Sequence, residues 1–228
     1  MPHMDKHYDQ ELQNLREKTL KMGGMVEKMI IKSMDALLNR NSALAEEMIE
    51  FDHEVNGIEV EIDEECIRLL VLRQPMASDL RFITTAQKIS TELERVSDLG
   101  VNICERCMEL NKEEVLTSFF ILPRMSQVAL EMIKKSLDSF VGKNVPLALE
   151  VCKQDDEVDG FNEELFRMLY TYMIENPNTI TRATRFMFVS KYLERIADHA
   201  TNIAELVIYM VKGKNIRHTT AAKKGEME

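Results

Sequence analysis

Two trios of oxygen-bearing side chains stand at a spacing that could hold a cation. Glu94, Asp98 and Asn102 lie four residues apart, and so do Glu194, Asp198 and Asn202. Four helical residues turn the chain by roughly 400°, so each trio forms one nearly straight stripe about 12 Å long. Carboxylates at i and i+4 repel and weaken a helix by about 0.2–0.5 kcal/mol. Such a stripe calls for a positive partner, either a metal ion or a basic side chain.

The two stripes are copies. Leu93-Glu94-Arg95-Val96-Ser97-Asp98-Leu99-Gly100-Val101-Asn102-Ile103-Cys104-Glu105 returns 100 residues later as Leu193-Glu194-Arg195-Ile196-Ala197-Asp198-His199-Ala200-Thr201-Asn202-Ile203-Ala204-Glu205, with seven of thirteen positions identical. This is an internal duplication. A second repeat precedes each copy: Asp52-His53-Glu54-Val55-Asn56-Gly57-Ile58 aligns with Asp155-Asp156-Glu157-Val158-Asp159-Gly160-Phe161. Asp52 with Asn56, and Asp155 with Asp159, are again at i and i+4. Pro75 ends the intervening helix, because it cannot continue one cheaply. Asp52 and Asp98 lie 23 residues either side of it, and Asn56 and Glu94 lie 19. In the second half, Asp155 with Asp198 and Asp159 with Glu194 are both centred on Asn176-Pro177. An antiparallel hairpin therefore brings each pair to one height. The spacing predicts two four-ligand, oxygen-only clusters.

The elements that must position them are helices. The 228 residues carry eight Gly, five Pro and no Trp, and are rich in Leu, Glu, Lys, Met and Ala, a helix-forming composition. Residues 1–7 read as a loose tail. A first amphipathic helix runs from Tyr8 to Leu38, with Gly23-Gly24 expected to bend or loosen it. A turn follows with Asn41 or Ser42 as N-cap, then a second helix to Arg73 and a third from about Met76 to Leu110. After a connector at 111–117 the plan repeats: helices from about Thr117 to Val141, Val145 to Ile174 and Thr179 to Lys212, then Gly213 and a Lys/Thr/Ala-rich tail at 214–228 that reads as disordered. The expected fold is all-α, a tandem duplication of an antiparallel three-helix bundle, with repeats at 8–111 and 117–213.

Composition narrows the function. The net charge of −10 argues against nucleic-acid binding and is compatible with cations. No stretch approaches the roughly 20 apolar residues of a membrane span. No signal peptide shows either, since His3, Asp5 and Lys6 interrupt any apolar start, so a cytoplasmic protein is expected. Cys104 and Cys107 form a C-x-x-C with no second pair, which reads as reduced thiols packed within a helix. There is no Gly-rich phosphate loop, no Gly-x-Ser-x-Gly and no nucleophile beside a base, so enzymatic chemistry is not expected.

Oxygen-only clusters suit Mg²⁺, Ca²⁺, Mn²⁺ or iron, and shared carboxylates suit a multinuclear site. His53 and His199, each beside a proposed ligand, leave room for Zn²⁺ or Ni²⁺. The competing readings are ion pairs with Arg95, Arg195, Arg182 and Arg185, or a merely solvated face. A ferritin-like di-metal enzyme needs Glu-x-x-His on two helices, and the chain offers only Glu50-Phe51-Asp52-His53, with Asp156 in place of the histidine in the repeat. A metal-free helical scaffold is the third alternative.

The doubled Leu-Glu-Arg-(Val/Ile)-x-Asp-x-x-x-Asn-Ile-x-Glu, with Asp-x-x-Val-(Asn/Asp) on the preceding helix and Ser78-Asp79-Leu80-Arg81-Phe82-Ile83 ahead of the first stripe, resembles the PhoU family. The resemblance covers roughly residues 8–213. It implies a pair of three-helix bundles and multinuclear iron or zinc clusters held through Glu94 and Asp98, and through Glu194 and Asp198. Leu99 and Gly100 stand where the second copy has His199 and Ala200, and Asn56 stands where it has Asp159, so the second site is expected to bind metal more strongly. The resemblance further implies a repressor of the phosphate-starvation response that acts when phosphate is plentiful. Its partners would be the ATPase subunit of the high-affinity phosphate ABC transporter and the sensor histidine kinase of the phosphate two-component system, with peripheral membrane association through them. A homodimer packed through the Met-rich first and fourth helices is also expected, because Met adapts to irregular apolar surfaces.

Overall fold

The computed structural model describes residues 2–116 and 120–213. The described residues form six long helices: α1 (Pro2–Leu38), α2 (Ser42–Arg73), α3 (Ala77–Leu110), α4 (Ile121–Gly142), α5 (Val145–Glu175) and α6 (Ile180–Lys212), with one 3₁₀ turn at Pro177–Thr179. Most are 31 to 37 residues long, which makes the body about 50 Å long. The expected tail at 214–228 and the expected start of the fourth helix at Thr117 lie outside the described residues.

Local chemistry sets the boundaries. Asn41 and Asn144 each accept the backbone N–H three residues on, Leu44 and Leu147, at 3.1 Å, and so start α2 and α5. Gln74 and Lys143 end α2 and α4 in the left-handed conformation, at φ of 47° and 48°. Two expectations are corrected. Residues 2–7 are not a loose tail but the first turns of α1. Gly23-Gly24 does not interrupt α1 either. A Cβ at Gly23 would run into Leu137 Cδ1 of α4, so glycine there permits close approach of the two helices.

Helices α1, α2 and α3 pack into one antiparallel bundle and α4, α5 and α6 into another, and the bundles join through α3 against α6 and α1 against α4. The hairpin register agrees with the folding about Pro75: Cys66 Sγ donates to the carbonyl of Ile83, Gln87 Nε2 to Asp63, and Ser97 Oγ to Asp52 Oδ1 at 2.6 Å. In the second half Ser190 Oγ donates to Asn162 Oδ1 at 2.6 Å, in register with Asp155–Asp198 and Asp159–Glu194. A single apolar core runs through both bundles. Met22, Met29 and Met34 of α1 and Met125 and Met132 of α4 are buried in it, so these methionines are not the surface for a second copy. All four cysteines are buried free thiols; burial pushes Cys66, Cys104 and Cys152 up to about 12, as packing thiols should be.

Candidate functional site

In the first half, α2 and α3 present acids to each other across their seam. Asp52 is buried and accepts Ser97 Oγ on one oxygen and Asn56 Nδ2, at 2.8 Å, on the other. Asn56 Oδ1 is buried without a hydrogen-bond partner among the described residues. Burial, then Asp98, Glu59 and Asp52, hold Glu94 above the usual carboxylate range, and Arg95 tempers this only weakly. Burial and then Asp52 raise Asp98 in the same way. Burial is the larger cause in both, and the neighbouring carboxylates add to it. Asn102 continues this line half-buried, one turn beyond Asp98.

The second half carries the same elements with different neighbours. Burial, then Glu194 and Asp159, raise the Asp198 carboxyl, while Lys191 and His199 pull against them. Lys191 Nζ is ion-paired with Glu194, approaching Oε1 at 2.6 Å. His199 is buried and does not join the acids of its own half. Its Nδ1 lies 2.7 Å from Glu92 Oε2 on α3, and Asn202 Nδ2 donates to the same oxygen at 3.1 Å. Burial alone would raise the Glu92 carboxyl; the bonds from His199 and Asn202 overcome it and leave it below the usual range. His53, the other histidine beside a proposed ligand, is exposed, as is Glu50.

Two of the four arginines considered as partners for these acids, Arg182 and Arg185, are engaged elsewhere, while Arg95 acts on Glu94. Arg185 Nε meets Glu109 at 2.7 Å, and Arg182 reaches the carbonyl and carboxylate of Glu114. The geometry thus bonds Asp52 to Asn56, sets Asp52 near enough to act on Glu94 and Asp98, sets Asp159 and Glu194 near enough to act on Asp198, and turns Asn202 away to the opposite bundle. As the side chains are placed, no three His, Cys, Asp or Glu among the described residues stand close enough to hold one metal ion. The donor set still fits a hard cation. It is rich in oxygen, and it includes an orphaned buried amide oxygen at Asn56.

Sequence reasoning missed four residues of this arrangement: Glu59, Ser97, Glu92 and Lys191. Glu59 lies seven residues beyond Asp52, two turns along the same face, and Ser97 lies beside Asp98 in the hairpin register, so spacing could have found both. Glu92 and Lys191 have no like partner 100 residues away, where Tyr192 and Thr91 stand instead. Matching the two repeats passes over them.

The PhoU domain family matches residues 19–107 and 122–207, one repeat in each bundle. A "Phosphate-specific transport system accessory protein PhoU homolog" of Pseudomonas aeruginosa is 39% identical over 217 residues, covering 95% of this chain and 90% of that protein. The "Phosphate-specific transport system accessory protein PhoU" of Escherichia coli K12 is 35% identical over 216 residues, with 95% and 90% covered. A crystal structure of PhoU from Pseudomonas aeruginosa superposes with a TM-score of 0.86 at 38% identity over 91% of this chain and all of that one. That of a phosphate transport system regulatory protein PhoU from Streptococcus pneumoniae also gives 0.86, at 28% identity over 91% and 98%. No helix among the described residues is long and apolar enough to cross a membrane.

Proposed function

This chain belongs to the PhoU family, and from that premise we propose that it is a metal-binding accessory regulator of phosphate uptake, acting by contact rather than by catalysis. The observation that carries the family part is the match through both repeats to relatives whose names mark accessory proteins of phosphate-specific transport. Regulation by contact needs surface, and the chain offers exposed apolar side chains at both hairpin turns. Val71, Leu72 and Met76 lie around the α2–α3 turn, and Ile174 and Ile180 around the α5–α6 turn. Their partners in this reading are the ATPase subunit of the phosphate transporter and the sensor kinase of the phosphate two-component system. The output is repression of the starvation response when phosphate is plentiful.

What supports the metal part is that burial, with Asp52 of α2 beside them, raises the Glu94 and Asp98 carboxyls of α3, and that Asn56 Oδ1 is buried without a hydrogen-bond partner among the described residues. Asp52, Asn56, Glu94 and Asp98 would hold a cation in the first half, and Asp155, Asp159, Glu194 and Asp198 in the second. Iron or zinc is the expected ion. A multivalent cation supplies neutralisation, turning mutual repulsion into a tie between the two helices of each hairpin. Because these carboxylates do not converge as placed, binding requires them to rotate toward one another.

The test is secreted phosphatase activity in a deletion strain grown with ample phosphate. The output is high in the deletion and is returned to low by the native gene. A gene carrying Glu94→Ala, Asp98→Ala, Glu194→Ala and Asp198→Ala fails to restore repression. Low output in the deletion itself would remove the repressor reading. The lack of a converged metal group among the described residues favours one rival, a metal-free scaffold with the same partners. Elemental analysis of protein purified without chelator, before and after loading with iron, manganese or zinc, separates the two.

A further inference from the structure

The caps that start α2 and α5 put the two halves in register. Asn41 and Asn144 each accept the backbone N–H three residues on, and each follows a left-handed residue, Arg40 at φ 53° and Lys143 at φ 48°. Counted back from these caps, Ile121, where α4 starts, stands at the place of Lys18. Pro2–Glu17, about four turns of α1, therefore has no helical counterpart among the described residues of the second half. The chain arrives there as a connector, residues 111–116, outside any helix. In the first half those turns of α1 close the tip of the α2–α3 hairpin. Tyr8 and Leu12 pack on the core and Leu15 is fully buried, which are anchors at i, i+4 and i+7 of one helix face. Glu11 meets Arg68 and Arg73 of α2, and Arg16 lies over the Phe82 ring of α3. At the matching end of the second half a cleft of about 280 Å³ lies open, with Leu37, Leu38, Arg40, Leu110, Phe120 and Phe186 in its lining. Leu38 is 50% exposed and Phe120 82%.

The charge around this cleft suits an acid. Arg40 donates from Nη2 to the carbonyls of Leu110 and Glu113, at 3.0 and 2.7 Å, so its contacts there are neutral. Arg182, which stands where the first half has Phe82, bonds the carbonyls of Glu114 and Asn178. The Glu114 carboxylate lies 3.8 Å from it on a side chain 94% exposed, a weak answer to its charge. We propose that the cleft is a docking site for an amphipathic helix of a partner protein, acidic and with apolar anchors at i, i+4 and i+7. That helix would seat against the α5–α6 hairpin as Pro2–Glu17 seats against the α2–α3 hairpin, the helix-in-groove mode of recognition. The inference rests on the reading above that the protein acts by contact, and gives that contact a surface. A second copy is a poor source for the helix, because its own Pro2–Glu17 stretch is held by Arg68 and Arg73. Residues 214–228 suit the cleft poorly too, since they carry four Lys or Arg against two Glu and would be repelled by Arg40 and Arg182.

The first half supplies the probe: a fluorescent peptide of residues 2–20, held helical by a staple across the exposed positions 9 and 13, because so short a helix is marginal alone. Its binding to the full-length protein is followed by fluorescence anisotropy. Saturable binding is expected. Leu38→Glu and Phe120→Glu in the protein, both at exposed positions that leave the core intact, should each weaken it roughly ten-fold, as should Leu12→Glu in the peptide. Glu11→Gln in the peptide should weaken it about three-fold, the scale of a lost surface ion pair, and should have no effect once Arg40 and Arg182 are both glutamine. No binding, or binding unchanged by Leu38→Glu and Phe120→Glu, overturns the proposal. Dissociation of an oligomer by those two substitutions, read by sedimentation, would assign the cleft to a second copy and overturn it as well. Failure here leaves the repressor reading to its own phosphatase test, and low output in the deletion strain leaves the peptide result standing.

Discussion

Glu92 Oε2 of the first repeat lies 2.7 Å from His199 Nδ1 of the second, a buried polar bond between the two bundles. It belongs to a line of contacts that runs antiparallel along α3 and α6. Arg81 Nε donates to the carbonyl of Met210 at 3.0 Å at one end, and Arg185 Nε meets Glu109 at 2.7 Å toward the other. Nothing in the duplicated pattern anticipates it, since Tyr192 and Leu99 occupy the related positions.

Breaking this bond from one side leaves a buried polar group without its partner. Glu92→Ala is expected to lower unfolding free energy by about 2–3 kcal/mol. Removing both partners, as Glu92→Met with His199→Leu, recovers part of that loss, because only the half-buried Asn202 amide then lacks its acceptor. Urea denaturation of the two single variants and the double variant checks this, and additive losses would show that the two side chains do not act as a pair.

Glu11 gives the fold an acid limit. It is buried at the α1–α2 contact, bonded by Arg68 Nη1 at 2.9 Å and Arg73 Nε at 2.8 Å, and these arginines hold its carboxyl at about 2 against an ordinary 4.5. The folded pKa is depressed, so its stabilisation is present above about 4.5 and is lost as pH falls toward 2. Glu11→Gln should lower stability at pH 7 by about 2 kcal/mol and flatten the decline between those values. Melting temperatures measured from pH 7 down to pH 3 read both effects.

Glu94 and Asp98 carry the opposite sign. Their folded pKa values are raised, so the metal-free protein is favoured while they are protonated and loses that advantage as pH rises through the carboxylate range. Asp98→Asn is expected to raise the melting temperature of chelator-treated protein at pH 7 by roughly 1–2 °C. The same variant should abolish much of the upward shift that added metal produces. A fall in the metal-free melting temperature would mean that Asp98 is stabilised by a partner.

Four glycines separate close approach from simple helix weakening. A Cβ at Gly100 would overlap Met29 Cγ, and one at Gly23 would overlap Leu137 Cδ1, both neighbours being in the core. Gly100→Ala should cost about 1–3 kcal/mol through overpacking. At Gly57 and Gly160 an added methyl would meet no other side chain within 4 Å among the described residues, so alanine there should stabilise by up to about 1 kcal/mol. Thermal melts of the four alanine variants rank them directly.

The sequence by itself determined the helices, the duplication and the height at which acids face one another, because each depends on local periodicity or on distances along the chain. A stripe at i, i+4, i+8 is fixed by helix geometry. The pairing of Asp52 with Asp98 needs only Pro75 and equal lengths on either side of it, and the Ser97–Asp52 bond agrees with that register. The tertiary structure decided what lies between elements distant in sequence. It sent His199 and Asn202 to Glu92, closed α1 on α4 at Gly23 and Leu137, buried the methionines expected to meet a second copy, and set Lys191 against Glu194. Periodicity shows which face of a helix is apolar but not which helix covers it. A duplicated pattern shows what two halves share, whereas the differences between them arise where one bundle meets the other.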